Sequence, residues 1–170
     1  MRLMHLSILA LPIALSGCSY SYELKAVVID GRLTFIVDPK SNHGASCFNA
    51  VEVIAHGEAR AKPSPGDDVS RVRYGTFWHQ RLDYGCVDEF PILYGQSLKG
   101  KPNPLGQGPD SVAAKPLRMG VIYEVSTTTG ATGYGNGAFK IMPDRRVIDV
   151  PAPSLADPND QLEPLPENGR

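Results

Sequence analysis

ELKAVVI at 23–29, DG at 30–31 and RLTFIV at 32–37 decide how this chain folds. Two runs rich in β-branched and aromatic residues flank an Asp-Gly pair. Both central residues of a type I′ turn need positive φ, which Asp tolerates and Gly adopts freely. The stretch therefore predicts a hairpin, with Leu33, Phe35 and Val37 on one face by period two. Outward from it, Cys47–His56 reads as a strand with Val51, Val53 and Ala55 alternating around Glu52. Lys62–Asp68, KPSPGDD, is a turn-rich loop. Val69–Leu82 resumes as a long strand or a bent pair. Phe90–Leu98 is a shorter strand, with Pro91 where an edge tolerates it. Gly100–Pro109 is a loop, Leu117–Thr128 a strand, Gly130–Gly137 a glycine-rich turn and Ala138–Met142 a strand with Phe139 and Ile141 inward. Arg145–Val150 adds a short edge. No stretch holds a helical period, and no internal repeat is found. Seven or eight short strands with frequent turns point to an all-β, antiparallel β-sandwich.

The chain has 170 residues, 42% hydrophobic and 21% charged, with formal net charge −1. That much apolar content excludes a wholly disordered chain. No bulk positive field argues for nucleic acid. Met1–Cys18, MRLMHLSILALPIALSGC, carries one arginine, then the apolar run Leu6–Leu15, then small residues. This is the pattern of a secretory signal. The run rises only ~15 Å as a helix, about half a bilayer core. Pro151–Arg170 is rich in proline and acidic residues and lacks aromatics, as a disordered tail does. The organisation read from sequence is 1–17 signal peptide, 18–22 tether, 23–150 folded body and 151–170 tail.

Leu15-Ser16-Gly17-Cys18 resembles the lipobox of bacterial lipoproteins. The resemblance implies that cleavage leaves Cys18 first and that its sulfur carries a diacylglycerol, often with acyl on its amine, such as palmitate. Two such chains suffice for stable anchoring, at ~0.8 kcal/mol per buried CH₂. Ser19 in place of aspartate implies the outer membrane, by the enteric pattern. The other reading is an ordinary signal peptidase site with Cys18 a structural cysteine. With Cys18 lipidated, Cys47 and Cys86 remain, an even number in an exported chain, and a disulfide is the expected outcome. A Cys/His metal or nucleophile site is the rival, although no CxxC or catalytic context is present.

Leu117-Arg-Met-Gly120-Val-Ile-Tyr123-Glu-Val125 resembles the L-x-P-G-x-x-Y-x-V segment of fibronectin type III domains. That resemblance implies an immunoglobulin-like sandwich whose corner is pinned by a bond from the tyrosine hydroxyl back to the backbone. Met119 stands where the family has proline, and Gly57–Pro116 is longer than its middle connection. The family specifies architecture rather than activity.

Catalytic and metal signals are thin. His43, His56 and His79 have no chelate spacing, and zinc needs three or four ligands. Asp67 and Asp68 adjoin without an EF-hand pattern. No G-x-S-x-G or H-E-x-x-H occurs, and no cofactor is implied. One parity of Val69–Leu82 holds Arg71, Arg73, Phe77, His79 and Arg81, a basic stripe with an aromatic at its centre. Such a stripe suits lipid phosphates, anionic glycans or an acidic protein face. It suits equally a solvated sheet face with ion pairs to Glu52 or Glu124, and Gly75 allows a bulge that breaks the parity. The expected function is a non-catalytic, membrane-anchored interaction or assembly module of the bacterial envelope. The alternatives are an envelope hydrolase whose pocket joins two or more of His43, His56, His79, Asp67, Asp68 and Glu89, or a glycan or small-ligand binder using Trp78, Tyr84 and Tyr134.

Overall fold

A computed structural model describes residues 19–83, 85–100 and 110–151. The signal peptide, Cys18, Tyr84, the loop residues 101–109 and the chain beyond Pro151 lie outside the described residues. The elements are β1 (Tyr20–Ile29), β2 (Arg32–Val37), β3 (Cys47–Phe48), β4 (Ala50–Ala55), α1 (Val69–Arg73), β5 (Thr76–Arg81), β6 (Asp88–Glu89), β7 (Ile92–Leu93), β8 (Ile122–Thr129), β9 (Gly133–Ile141) and β10 (Val147–Val150). Among the described residues strand predominates, 46% against 4% helix, as the patterning implies. The hairpin forms with Ile29 opposite Arg32 and Leu24 opposite Val37. Asp30 and Gly31 both take positive φ, at 50° and 75°.

The sheet runs β5-β4-β8-β9-β1-β2-β7, with β10 beside β9. It is mixed, because the start of β1 runs parallel to β9, Tyr20 opposite Gly133 through Glu23 opposite Asn136. At Leu24 the strand peels away from β9 and pairs with β2, and β10 takes its place, Val150 opposite Ala138. The result is a curled sheet, a half-barrel, instead of two stacked antiparallel sheets.

The glycines permit this crossing. Gly130 lies in the turn, but Gly133, Gly135 and Gly137 belong to β9, so the expected turn over 130–137 is mostly strand. A Cβ on Gly135 would overlap the Tyr22 ring and Thr127 Oγ1, and one on Gly137 would overlap the Leu24 carbonyl. Glycine inside a strand here marks a close approach. Tyr22 lies over Gly135, its hydroxyl bonded to Thr127 Oγ1 at 2.8 Å and Thr129 Oγ1 at 2.7 Å.

Val69–Leu82 is not one strand. Asp68 caps α1, its Oδ1 accepting from Ser70 N–H at 2.9 Å and Arg71 N–H at 3.3 Å. Gly75, at φ 104°, ends the helix and starts β5. Between β4 and β5 the register slips at Val53/Ile54, which leaves Phe77 as the extra residue between the paired Thr76 and Trp78. That bulge turns Phe77 inward beside Trp78. Of the expected strand Phe90–Leu98 only Ile92–Leu93 pairs, against β2.

The core gathers Tyr22, Leu24, Phe35, Phe48, Val51, Val53, Phe77, Trp78, Tyr123 and Phe139 inside the curl. Each fully buried large side chain contributes about 1.5–3 kcal/mol. Residues 112–115 strap the outer edge of β5: His79 and Val112 exchange backbone bonds at 3.0 and 2.8 Å, and Lys115 N–H donates to Phe77 at 2.8 Å. The strap is held by a buried pair, the Lys115 ammonium on the Asp67 carboxylate, with Ser64 Oγ also on Lys115 at 2.6 Å. Burial alone would raise the Asp67 carboxyl; Lys115 and the Ser64 and Ala113 N–H groups outweigh it and hold it below the usual carboxylate range. Cys47 and Cys86 are bonded, with Cα atoms 5.3 Å apart. The Tyr123 hydroxyl accepts from Arg118 N–H at 2.8 Å, a bond to the backbone five positions back.

Candidate functional site

The residues of the expected stripe part company. Arg71 and Arg73 sit on α1, Phe77 is in the core edge-on to Tyr123, His79 is buried and Arg81 is exposed at the end of β5. The helix and the bulge are the physical reasons, since neither keeps a period of two. Arg71, His79 and Arg81 nonetheless meet again, lining a shallow pocket of about 170 Å³ with Glu52, Ser126 and Thr128.

Glu52 organises this pocket. It stands on β4 opposite His79. Its Oε1 takes Arg71 Nη1–H at 3.2 Å and Thr76 Oγ1–H at 3.1 Å. Arg71 also reaches Asp110 Oδ1, through Nε–H at 3.1 Å and Nη2–H at 2.8 Å. Its charge is thereby spent on Glu52, Asp110 and, at 3.5 Å, Asp68. His79 lies between the two acids, Nδ1 3.7 Å from Glu52 and Nε2 3.4 Å from Asp110. Only 5% of the residue is exposed, and neither ring nitrogen has a hydrogen bond of good geometry. Burial pushes the imidazole below its ordinary value; Arg71 adds to this, while Glu52 and Asp110 oppose it. The ion-paired alternative for the stripe is thus what Arg71 does, with Glu52 its partner. Asp110 was missed because its loop neighbourhood carries no periodic signal.

The other candidates stay apart. His43 lines a wider cleft of about 610 Å³ where β1 peels from β9, with Glu23, Asp38, Asn136 and Asp149. His56 Nε2 meets Glu124 at 3.2 Å, Asp67 holds Lys115, and Glu89 lies on β6 opposite Cys47. None of the described cavities is lined by two of the six residues that a hydrolase pocket would join. Trp78 is fully buried, so it cannot share an open aromatic platform with Tyr134, which is 45% exposed; Tyr84 is outside the described residues. Among the described residues no three His, Cys, Asp or Glu side chains are placed to hold a metal ion. Nor is any described helix long and apolar enough to cross a membrane.

Comparison with known proteins finds no matching family model, no matching curated protein and no matching solved structure. The fold and the residues above therefore stand on their own chemistry.

Proposed function

We propose that this chain is a lipid-anchored envelope protein, tethered through Cys18 to a membrane, by its Ser19 the outer one, and working as a non-catalytic interaction or assembly module. The observation that carries the reading is the short distance between address and body. β1 begins at Tyr20, two positions after the lipobox cysteine. A tether of at most ~7 Å holds the half-barrel against the bilayer surface. A disulfide between Cys47 and Cys86 fits an oxidising compartment. The fibronectin-like character belongs to the Tyr123 corner, not to a two-layered body.

The test is fractionation with metabolic palmitate labelling. The native chain is expected in the membrane fraction, labelled, and Cys18→Ser in the soluble fraction or as uncleaved precursor, without label. Label that survives Cys18→Ser overturns the anchor.

A further inference from the structure

At the pole of the half-barrel where β4 ends and β8 begins, the guanidinium groups of Arg60 and Arg118 are tied to backbone carbonyls, one of them that of Arg73. Arg60 donates Nε–H to the Arg73 carbonyl at 2.8 Å, and Nη1–H to the carbonyls of Gly57 at 2.7 Å and Ala59 at 2.9 Å. Arg118 donates Nη2–H to the Arg60 carbonyl at 2.7 Å. Among the described residues none of Arg60, Arg73 and Arg118 pairs with a carboxylate. Carbonyl bonds fix a guanidinium without cancelling its charge. Lys62 is exposed two positions beyond Arg60. Glu58 lies on the same turn, Glu124 is already engaged by His56, and Asp144, on the turn after β9, is engaged by Arg146. Beside Arg73 stands Tyr74, 82% exposed.

We propose that this pole binds an anionic polysaccharide, its carboxylate or phosphate groups on Arg60, Arg73 and Arg118 and a sugar ring on the face of Tyr74. A guanidinium meets a planar or tetrahedral oxyanion with paired N–H groups; Arg118, held by one bond, and Arg73, whose side chain makes no described bond, keep donors for this, and Arg60 keeps Nη2. An aromatic face left in water beside them offers a stacking surface that an acidic peptide would not use. The location agrees. β8 runs from Ile122 at this pole to Thr129, whose Oγ1 meets Tyr22 near the start of β1. That is about 23 Å of strand. The orientation away from a membrane rests on the anchored reading; the binding chemistry does not.

The experiment titrates the full chain, in detergent, with polygalacturonate, neutral dextran of equal length, polyglutamate and glycerophosphoglycerol, the water-soluble headgroup of phosphatidylglycerol. Polygalacturonate is expected to bind and dextran not. Arg73→Glu with Arg118→Glu is expected to weaken binding roughly tenfold or more, the scale of one or two charge-assisted bonds. Lys40→Glu with Lys99→Glu makes the same change in net charge toward the other end of the sheet and is expected to leave affinity within about twofold. Tyr74→Ala is expected to weaken polygalacturonate several-fold while leaving polyglutamate unchanged. Folding is followed by Trp78 fluorescence. If the double variant unfolds, Arg73→Glu alone serves, since its side chain makes no described bond. Absent binding, equal loss in the Lys40/Lys99 control, indifference to Tyr74→Ala, or preference for glycerophosphoglycerol or polyglutamate each overturns the proposal. None of these outcomes depends on Cys18.

Discussion

Replacing glycine by alanine along β9 separates two effects of the same methyl group. In an ordinary strand, alanine gains about 0.5–1 kcal/mol by reducing the freedom of the unfolded chain. On β9 the methyl meets atoms already in place. At Gly137 it overlaps the Leu24 carbonyl oxygen, which is backbone, so β1 itself must retreat from the sheet. At Gly135 it overlaps the Tyr22 ring, which cannot swing without losing bonds to Thr127 and Thr129. At Gly133 it comes 2.7 Å from the Tyr20 ring, a partly exposed side chain that can move, and 2.9 Å from Thr129 Cβ, just inside contact. Overpacking costs about 1–3 kcal/mol, and each lost bond about 1 kcal/mol. The expected losses are therefore roughly 3 kcal/mol for Gly137→Ala, roughly 2 for Gly135→Ala and under about 1 for Gly133→Ala. Gly44, with nothing near and an ordinary φ, is the control, where alanine is neutral or slightly stabilising. Urea unfolding read by the one tryptophan, the buried Trp78, reports all four variants. A Gly137→Ala protein as stable as the parent would refute the claim that β1 crosses β9 through the space these glycines leave.

Replacing Cys47 and Cys86 together by alanine opens a loop of 39 residues and is expected to cost about 4 kcal/mol by chain entropy, seen as an earlier urea midpoint; an unchanged midpoint removes the cross-link from the stability argument. Acid is expected to act in two stages. The folded His79 takes its proton at lower pH than the unfolded chain, so stability falls as pH drops below about 6.5; the folded Asp67 behaves likewise below about 4. Melting temperatures between pH 7.5 and pH 3 check this, and His79→Gln should flatten the upper stage alone.

What was legible in the sequence was local or countable. The Asp30-Gly31 hairpin needs only its own residues, and the disulfide was expected from Cys47 and Cys86 once the chain is read as exported. The Tyr123 bond spans five positions and so leaves a motif. What was not legible depends on distant partners. Gly133, Gly135 and Gly137 read as turn residues because Tyr20, Tyr22 and Leu24, which they accommodate, are more than a hundred positions away. α1 is too short to show a helical period, although Asp68 before it and Gly75 after it are cap residues in the expected order. The basic stripe failed for that reason and for the bulge at Phe77, which the sequence offered only as an option through Gly75. The pairing of Arg71 with Glu52 was within reach; Asp110 was not, since nothing in a Pro/Gly-rich stretch marks which acid will turn inward.

The parallel pairing of Tyr20–Glu23 with Gly133–Asn136 has a mechanical meaning. A pull delivered through the chain's beginning runs along the strand axis. The bonds of a ladder lie across that axis, so the load falls on all of them together in shear instead of peeling them one at a time. A protein held by its first residues and gripped at the opposite pole would resist being drawn apart at this seam, and the rupture force along that direction should exceed the force needed to unzip the β1–β2 hairpin from its turn.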